Sequence, residues 1–165
     1  MRLTIAAAFC ATLALAACGK PASPPAESAS TPEAAPEASP DDTQAQAMLA
    51  SLPAPYNTAD WANGKKQFAR CRSCHTLGEG QANMTGPNLY GVIGRPMASK
   101  ADYTYSDALK AAGGHPWDPE HLDAWIADPR AVHPGTKMSF AGLKDAKDRQ
   151  DLIAYLMTET GYKPG

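Results

Sequence analysis

The pattern of apolar and polar positions predicts a series of short helices, and it is clearest near the C-terminus. Between about residues 146 and 159, Leu152, Tyr155 and Leu156 recur at helical spacing and form one apolar stripe. Asp145 stands directly before this stretch and can accept a hydrogen bond from one of its first amides, so it is the predicted N-cap. We therefore expect a C-terminal helix that packs on the core along one face.

A second predicted helix runs from Asn57, its N-cap, to about Arg70. Gly64 and Phe68 are four residues apart, which places them on the same face of this helix. Because glycine has no side chain, Gly64 would let the C-terminal helix approach closely.

The middle of the chain predicts short helices separated by long loops. No stretch of useful length alternates between apolar and polar residues as a strand does. Long ordered loops need a body to pack against, and a large bound group supplies one. The predicted fold class is all-α, with the middle helices at residues 105–112 and, behind Asp118 and Pro119, at about 119–127.

The N-terminal third has a different character from the rest of the chain. Residues 1–18 contain Arg2, an apolar run over residues 3–17, and then Leu15-Ala16-Ala17-Cys18, which resembles a bacterial lipobox. We predict a lipoprotein signal peptide that is cleaved before Cys18, with a lipid on Cys18. Ordinary cleavage after an alanine and an uncleaved anchor are the alternatives, although the apolar run is shorter than a typical membrane-spanning helix.

Residues 19–56 are rich in Pro, Ala, Ser and Glu and have few bulky side chains. Such a segment buries too little apolar surface to offset the entropy lost on ordering, so it is predicted to be a disordered tether. As a flexible coil it would span about 35 Å. Within it, residues 44–52 could form a short helix. Residues 57–165 are then one domain of ordinary size.

Charge adds little to this picture. The formal net charge is −2, too close to zero to indicate binding to nucleic acid. From Thr58 onward there are 13 basic and 12 acidic residues, so any electrostatic steering depends on a local patch. The candidate patch for docking a partner consists of Lys65, Lys66, Arg70 and Arg72.

The strongest chemical signal is the run Cys71-Arg72-Ser73-Cys74-His75. It reads C-x-x-C-H, the attachment motif of c-type haem. Two thiols at this spacing can bond to one edge of a porphyrin, and the adjacent histidine can ligate the iron. A thioredoxin-like redox pair, half of a zinc site and a structural disulfide are the alternatives. The other two cysteines, Cys10 and Cys18, both lie in the leader.

A closed haem iron needs a sixth ligand, and Met138 is the best-placed candidate. It follows Pro134 and Gly135, which form a rigid turn that can direct the thioether inward. Met157 is expected to be core or surface, and Met84 and Met97 are expected to pack. The three remaining histidines after the motif are expected to face solvent: His115, His121 and His133.

Taken together, these motifs resemble the class I c-type cytochromes, the group of mitochondrial cytochrome c and bacterial cytochrome c2. The resemblance runs from about Asp60 to Thr160 and includes none of the first 56 residues. The matching runs are, in order, Cys71 to Thr76 (CRSCHT), Thr85 to Arg95 (TGPNLYGVIGR), Tyr103 to Ser106 (YTYS), Pro134 to Met138 (PGTKM) and Asp151 to Leu156 (DLIAYL).

The resemblance implies a role for each matching residue. Cys71 and Cys74 would hold one covalent haem c, with His75 as the proximal ligand and Met138 as the distal ligand. The Pro87 carbonyl would accept a hydrogen bond from the His75 ring. The remaining implied contacts are Arg95, Tyr105, Trp117 and Thr136 at a buried haem propionate, Phe140 at the exposed haem edge, and Gly64, Phe68, Leu152 and Tyr155 at the crossing of the terminal helices.

Two departures from the family pattern bear on function. Trp125 stands where the mitochondrial pattern has a tyrosine bonded to the methionine sulfur. Some of the lysines that surround the haem edge in the mitochondrial pattern are replaced, one by Arg130 and another by Ala131.

The expected function is one-electron transfer and not catalysis, because iron ligated by histidine and methionine has no vacant position. The resemblance implies a respiratory or photosynthetic chain, with a cytochrome bc complex as donor and a terminal oxidase or a reductase as acceptor. We expect a monomer with its haem domain in the periplasm, held near both partners by the lipid anchor. A fixed haem subunit of a dehydrogenase or reductase complex and a peroxidase-like or nitrogen-oxide-handling enzyme are the alternatives.

Overall fold

The computed structural model describes residues 40–164, and side chains from residue 42. The predicted signal peptide with Cys18, and residues 19–39 of the predicted tether, lie outside this range. Within it, the regular structure is helical apart from one isolated bridge between Pro96 and Pro116, which confirms the all-α prediction. The helices are α1 (Pro40–Ala50), a 3₁₀ helix (Tyr56–Thr58), α2 (Trp61–Phe68), α3 (Asp107–Ala111), α4 (Pro119–Ala127), α5 (Pro129–Val132) and α6 (Ala146–Glu159).

Helix α6 is the centre of the fold, and its bounds agree with the predicted ones. The predicted N-cap is confirmed, since the Asp145 carboxylate accepts a hydrogen bond from the Asp148 amide at 2.9 Å. Seven consecutive residues, from Asp151 to Met157, are buried, which is nearly two full turns. A helix can be buried around its whole circumference only if neighbours cover every side. Helices α1, α2 and α4 all pack against it.

The crossing of α2 and α6 depends on Gly64, as predicted. A Cβ atom at this position would lie 2.7 Å from the Tyr155 Cβ and still closer to the Asp151 carbonyl oxygen. The Tyr155 ring lies between those of Trp61 and Phe68, with centroids 5.6 Å from each. The backbones of α2 and α6 can therefore come this close only because residue 64 has no side chain.

A buried carboxylate ties the two helices together. Asp151 of α6 is only 1% exposed. It accepts hydrogen bonds from the Asp60 amide at 2.8 Å, from Asn63 Nδ2 at 2.9 Å, and from Lys147. Burial alone would raise the pKa of Asp151, but these donors outweigh it and hold the pKa below its usual value. The charge is thus satisfied by groups that fix the start of α2 on α6.

Two predicted helix starts are wrong. The N-cap of α2 is Asp60, which accepts from the Asn63 amide at 2.9 Å, and not Asn57, which lies in the 3₁₀ helix. The tertiary contact of the Asp60 amide with Asp151 decides between two residues of equal capping propensity. Likewise α3 begins at Asp107, capped by Ser106, rather than at residue 105.

Helix α4 begins and ends as predicted, with Asp118 as its N-cap and Pro119 at its first position. The four-residue helix α5, which follows it directly, was not predicted from the sequence. Asp128 both ends α4 and caps α5, and its carboxylate accepts from the Ala131 amide at 3.1 Å. The proline after Asp128 thus ends one helix and begins another.

The folded part begins earlier than predicted. Helix α1 lies inside the range assigned to the disordered tether, so the boundary at residue 56 is wrong, while the suggested helix at residues 44–52 is present in a shifted form. Ala45, Leu49 and Leu52 are buried, and Asp42 forms a 3.3 Å ion pair with Lys65 of α2. These few apolar residues do not stand out in an Ala-rich stretch, and the contact of α1 with α6 is what orders them. No helix within residues 40–164 is long and apolar enough to cross a membrane.

Candidate haem site

An apolar cavity lies between the end of α2, helices α3, α4 and α6, and the segment 134–140. Its volume is about 220 Å³, whereas roughly 10–15 Å³ is enough for one water. Its lining, predominantly apolar with a few polar groups, is that of a ligand-binding cavity. The apolar residues of its wall are Phe68, Leu89, Val92, Leu109, Leu122, Trp125, Ile126, Leu152 and Leu156.

The C-x-x-C-H run forms a tight turn at the edge of this cavity, directly after α2. The Cys74 and His75 amides both donate to the Cys71 carbonyl, at 2.9 and 3.0 Å. Both thiols line the cavity, and they form no disulfide with each other. Burial raises the pKa of the Cys71 thiol to about 11. A thioredoxin-like cysteine needs a lowered pKa, so the redox-pair alternative does not fit.

The zinc alternative does not fit either. Among the residues the structure describes, no three His, Cys, Asp or Glu side chains are grouped so that they could hold a metal ion. A structural zinc site requires four such ligands in a tetrahedral arrangement. The two thiols and the histidine of the motif therefore face a cavity and not a second ligand pair.

His75 is held as a neutral imidazole. Its Nδ1 donates to the Pro87 carbonyl oxygen at 2.7 Å, which is the hydrogen bond expected from the resemblance. Burial lowers the pKa of His75, and the bond to Pro87 opposes this only in part. The ring also lies directly on Gly86, where a Cβ atom would be 2.7 Å from both ring nitrogens. Nε2 is therefore left as a free electron-pair donor, the form that binds metals.

The loop that carries Pro87 is fixed by the buried side-chain amide of Asn88, a role that was not predicted from the sequence. Asn88 is 3% exposed. Its Nδ2 donates to Thr76 Oγ1 at 2.8 Å and to the Gly78 carbonyl at 3.0 Å, and its Oδ1 accepts from the Tyr90 amide at 3.0 Å. Asn88 thus connects the segment after His75 to the carbonyl that orients the His75 ring. Its place in the run TGPNLYGVIGR was the available signal.

Met138 lies on the cavity wall, in the loop that follows α5. Its amide donates to Thr136 Oγ1 at 3.2 Å, and the Thr136 amide donates to the His133 carbonyl at 3.0 Å. Gly135 has a φ of +90°, which glycine adopts without strain, and this allows the sharp turn before Met138. Of the seven methionines and histidines considered as a sixth ligand, Met138 alone is in the described lining.

The rivals of Met138 lie elsewhere, with two corrections to the expectations. Met97 and Met157 are buried outside the cavity lining, at 2% and 0% exposure. Met84 was expected to pack but is 48% exposed, because its loop turns its side chain outward. His133 was expected to face solvent, but its Nε2 is buried without a hydrogen-bond partner and its ring lies 5.6 Å from that of Trp125. His115 and His121 are exposed, as expected.

The residues assigned to a haem propionate all line the cavity. Arg95 is the informative member, because it is partly buried and its side chain donates only to the carbonyls of Tyr90, at 2.7 Å, and Asn88, at 3.4 Å. Burial lowers the pKa of Arg95, and none of the described carboxylates forms an ion pair with it. A partly buried cation of this kind suits an anionic ligand group. The other members, all in the lining, are Tyr105, Trp117 and Thr136, and Phe140 lies there too.

The cavity, the paired thiols, the free imidazole nitrogen and the thioether together define a c-type cytochrome. The chain belongs to the cytochrome c family, since the family model described as "Cytochrome c" matches residues 61–160. It is an electron-transfer protein and not an enzyme, and it binds one covalently attached haem c.

Individual relatives support this assignment. The chain is 45% identical over 116 residues to "Cytochrome c homolog" of Rickettsia bellii (strain RML369-C), a match covering 70% of this chain and 66% of that protein. It is 42% identical over 107 residues to "Cytochrome c2" of Agrobacterium tumefaciens (strain II Chrys), covering 64% of this chain and 96% of that protein. The solved structure of cytochrome cH from Methylobacterium extorquens has a TM-score of 0.56 and 46% identity, covering 61% of this chain and 99% of that one.

Proposed function

We propose that this protein is a membrane-tethered carrier that moves single electrons between complexes of a respiratory or photosynthetic chain. Bound haem c supplies the Fe(III)/Fe(II) couple. His75 and Met138 would ligate the iron, Cys71 and Cys74 would attach the ring, and Arg95, Tyr105, Trp117 and Thr136 would bind a propionate. The observation that carries the proposal is that Met138, the one candidate sixth ligand in the described lining, shares the cavity with His75.

The residues that contact His75 and Met138 favour rapid electron exchange, because they hold both ligands in place in either oxidation state of the iron. Pro87 fixes the His75 ring by its 2.7 Å hydrogen bond, and Thr136 fixes the backbone of Met138. The aromatic wall formed by Trp117 and Trp125, with ring centroids 5.4 Å apart, limits the access of water. Fixed ligands in a dry site need little reorganisation when an electron arrives or leaves.

Charges near the cavity support docking on an acidic partner. Arg70 and Lys137 line the cavity and are exposed, and Arg72 lies inside the attachment motif. None of the three forms an ion pair with a residue in the described range. Lys65, which belonged to the predicted basic patch, pairs with Asp42 and contributes less. A cytochrome bc complex as donor and a terminal oxidase or a reductase as acceptor fit this surface.

The carrier role is tested by a redox titration combined with turnover. The purified protein should titrate as a single one-electron couple. Isolated membranes should reduce the oxidised protein with a respiratory substrate and oxidise the reduced protein in air. Exchange with ascorbate and ferricyanide is the control that the haem is competent. A competent protein that membranes neither reduce nor oxidise would exclude the carrier role.

The lipid anchor is proposed from the sequence alone. Replacing Cys18 by serine should remove the site of lipidation, because a hydroxyl does not replace the thiol in this modification. The haem domain should then leave the membrane fraction, or the leader should remain uncleaved, as measured by fractionation and intact mass. Cys10→Ser is the matched control, since Cys10 lies inside the removed leader. Equal membrane retention of the Cys18→Ser protein after normal cleavage would mean that another anchor exists.

The revised boundary of the folded part shortens the proposed tether. Residues 19–39 would remain between the lipid and α1, and as a flexible coil they would span about 25 Å. A chain of this length still lets a small domain reorient between a donor and an acceptor in the same membrane.

A further inference from the structure

Met84 is the one large hydrophobic side chain that is exposed among the described residues, at 48%. A single exposed apolar residue needs no functional explanation by itself. The position of Met84 indicates a function, because the next two residues, Thr85 and Gly86, line the haem cavity. The Gly86 amide also donates to the Cys74 carbonyl at 2.8 Å, so this loop lies against the attachment motif.

The backbone that presents Met84 is fixed on both sides. The Met84 amide donates to the Gly86 carbonyl at 2.9 Å. Before it, Asn83 Nδ2 donates to the Asp102 carbonyl at 2.9 Å, and after it, the Thr85 carbonyl accepts from the Tyr103 hydroxyl at 2.6 Å. A side chain displayed from a rigid backbone loses less entropy when a partner covers it, so more of its burial free energy appears as affinity.

The charges beside Met84 indicate the kind of partner. Between residues 70 and 86 the sequence contains Arg70 and Arg72 but only one acid, Glu79. Asp102, whose carbonyl accepts from Asn83, also lies beside this loop, and its carboxylate is paired with Lys100 at 3.2 Å. Both arginines are exposed and outside any ion pair in the described range. Methionine and arginine are enriched in protein interfaces, and methionine adapts its shape to different partners.

We propose that Met84 is the apolar anchor of the surface on which a redox protein docks, and that this protein presents an apolar residue bordered by carboxylates. The inference rests on the proposed carrier function and adds a determinant of partner choice. Because an apolar contact is not screened by salt, part of the affinity should persist at high ionic strength. Arg70 and Arg72 would supply the electrostatic part of the affinity, which high salt removes.

The test uses the full-length holoprotein, reduced with ascorbate and desalted, and membrane vesicles from a strain that lacks it. Oxidation of the haem absorbance in air gives kcat and KM. Met84→Gln keeps the length of the side chain but makes it polar, and Met84→Leu keeps it apolar. Ala62→Gln, on an exposed position of α2 outside the cavity lining, is the matched surface control.

We expect Met84→Gln to raise KM about fivefold or more, the effect of removing an interface anchor. Its kcat, its redox potential and its rate with ferricyanide should match those of the wild type, since the haem surroundings are unchanged. Met84→Leu and Ala62→Gln should behave as the wild type in every measurement. The excess KM of Met84→Gln should remain at high salt.

Two results would overturn the proposal, and they can be told apart by whether the carrier function remains. A Met84→Gln protein that vesicles oxidise with the wild-type KM would exclude Met84 as an anchor while leaving the carrier function intact. Vesicles that fail to oxidise the wild type, although ferricyanide does so readily, would remove the carrier function and with it the docking surface.

Discussion

Replacing Met138 by alanine should open one side of the haem site. Alanine has no donor atom, and the other methionines and histidines weighed for this role lie outside the described lining of the cavity. The charge-transfer band between the thioether and ferric iron should disappear. The potential should fall on the order of 0.1–0.2 V, part of the roughly 0.8 V range that axial ligands set. Carbon monoxide and peroxide should gain access to the iron, which optical titration and a peroxidase assay would detect.

Met97→Leu is the matched control for this experiment. Met97 is also buried, but it is not in the cavity lining, so its loss should leave the spectrum and the potential as they are. A wild type that already binds carbon monoxide rapidly, together with an unchanged spectrum in Met138→Ala, would contradict the assignment. Met138 would then be a loop residue, and the iron would be open or ligated by another side chain.

Replacing Gly64 by alanine should strongly destabilise the fold, although the same change usually stabilises a helix. In an exposed helix interior, glycine to alanine contributes about 0.5–1 kcal/mol of stability. Here the new Cβ would lie 2.7 Å from the Tyr155 Cβ and closer still to a backbone oxygen of α6. Backbone atoms cannot move aside as a side-chain tip can, so α2 and α6 must separate. We expect a loss of roughly 3 kcal/mol, measured by denaturant unfolding of the holoprotein.

Ala62→Val is the control within the same helix. Ala62 is exposed, so the added methyl groups meet solvent and only the helix propensity changes, by less than about 1 kcal/mol. A Gly64→Ala protein as stable as the wild type would mean that the helices have room to spare at their crossing.

A helix could be predicted from the sequence where the residues that determine its bounds lie within or directly beside it. Helices α4 and α6 each combine an aspartate N-cap with an apolar stripe, and both were placed correctly. The start of α2 could not be placed, because Asn57 and Asp60 cap equally well and only the contact with Asp151, 91 residues away, selects one. A short helix at residues 44–52 was suggested, but it was placed within the disordered tether. Its packing on α6 is a contact between distant parts of the sequence, and a helix this short has little stability alone.

The residues predicted to bind the haem lie in short runs of fixed spacing, and the structure brings them to one cavity. Every residue assigned to the haem from 71 to 138 lies in the cavity lining. The spacing of residues along the sequence does not determine the direction in which each side chain points. Met84 and Met97 both flank the Gly86-Pro87 loop, yet one is 48% exposed and the other 2%. Asn88 was missed because a buried amide that only hydrogen-bonds neighbouring loops carries no chemical signature of its own.

The contact between α2 and α6 joins residues that are far apart in the sequence, and this determines when the cavity can be completed as the chain is made. The amide of Asp60 donates to a carboxylate that lies 91 residues later in the chain, so the main packing partner of α2 is made only when nearly the whole chain exists. Closing such a long loop is slow compared with local helix formation. Leu152 and Leu156 of α6 form part of the cavity wall, so the cavity beside the segment 71–75 is incomplete until α6 packs in place. A chain that lacks α6 therefore cannot complete the cavity beside the attachment motif, and the last helix to be made is the one that completes it.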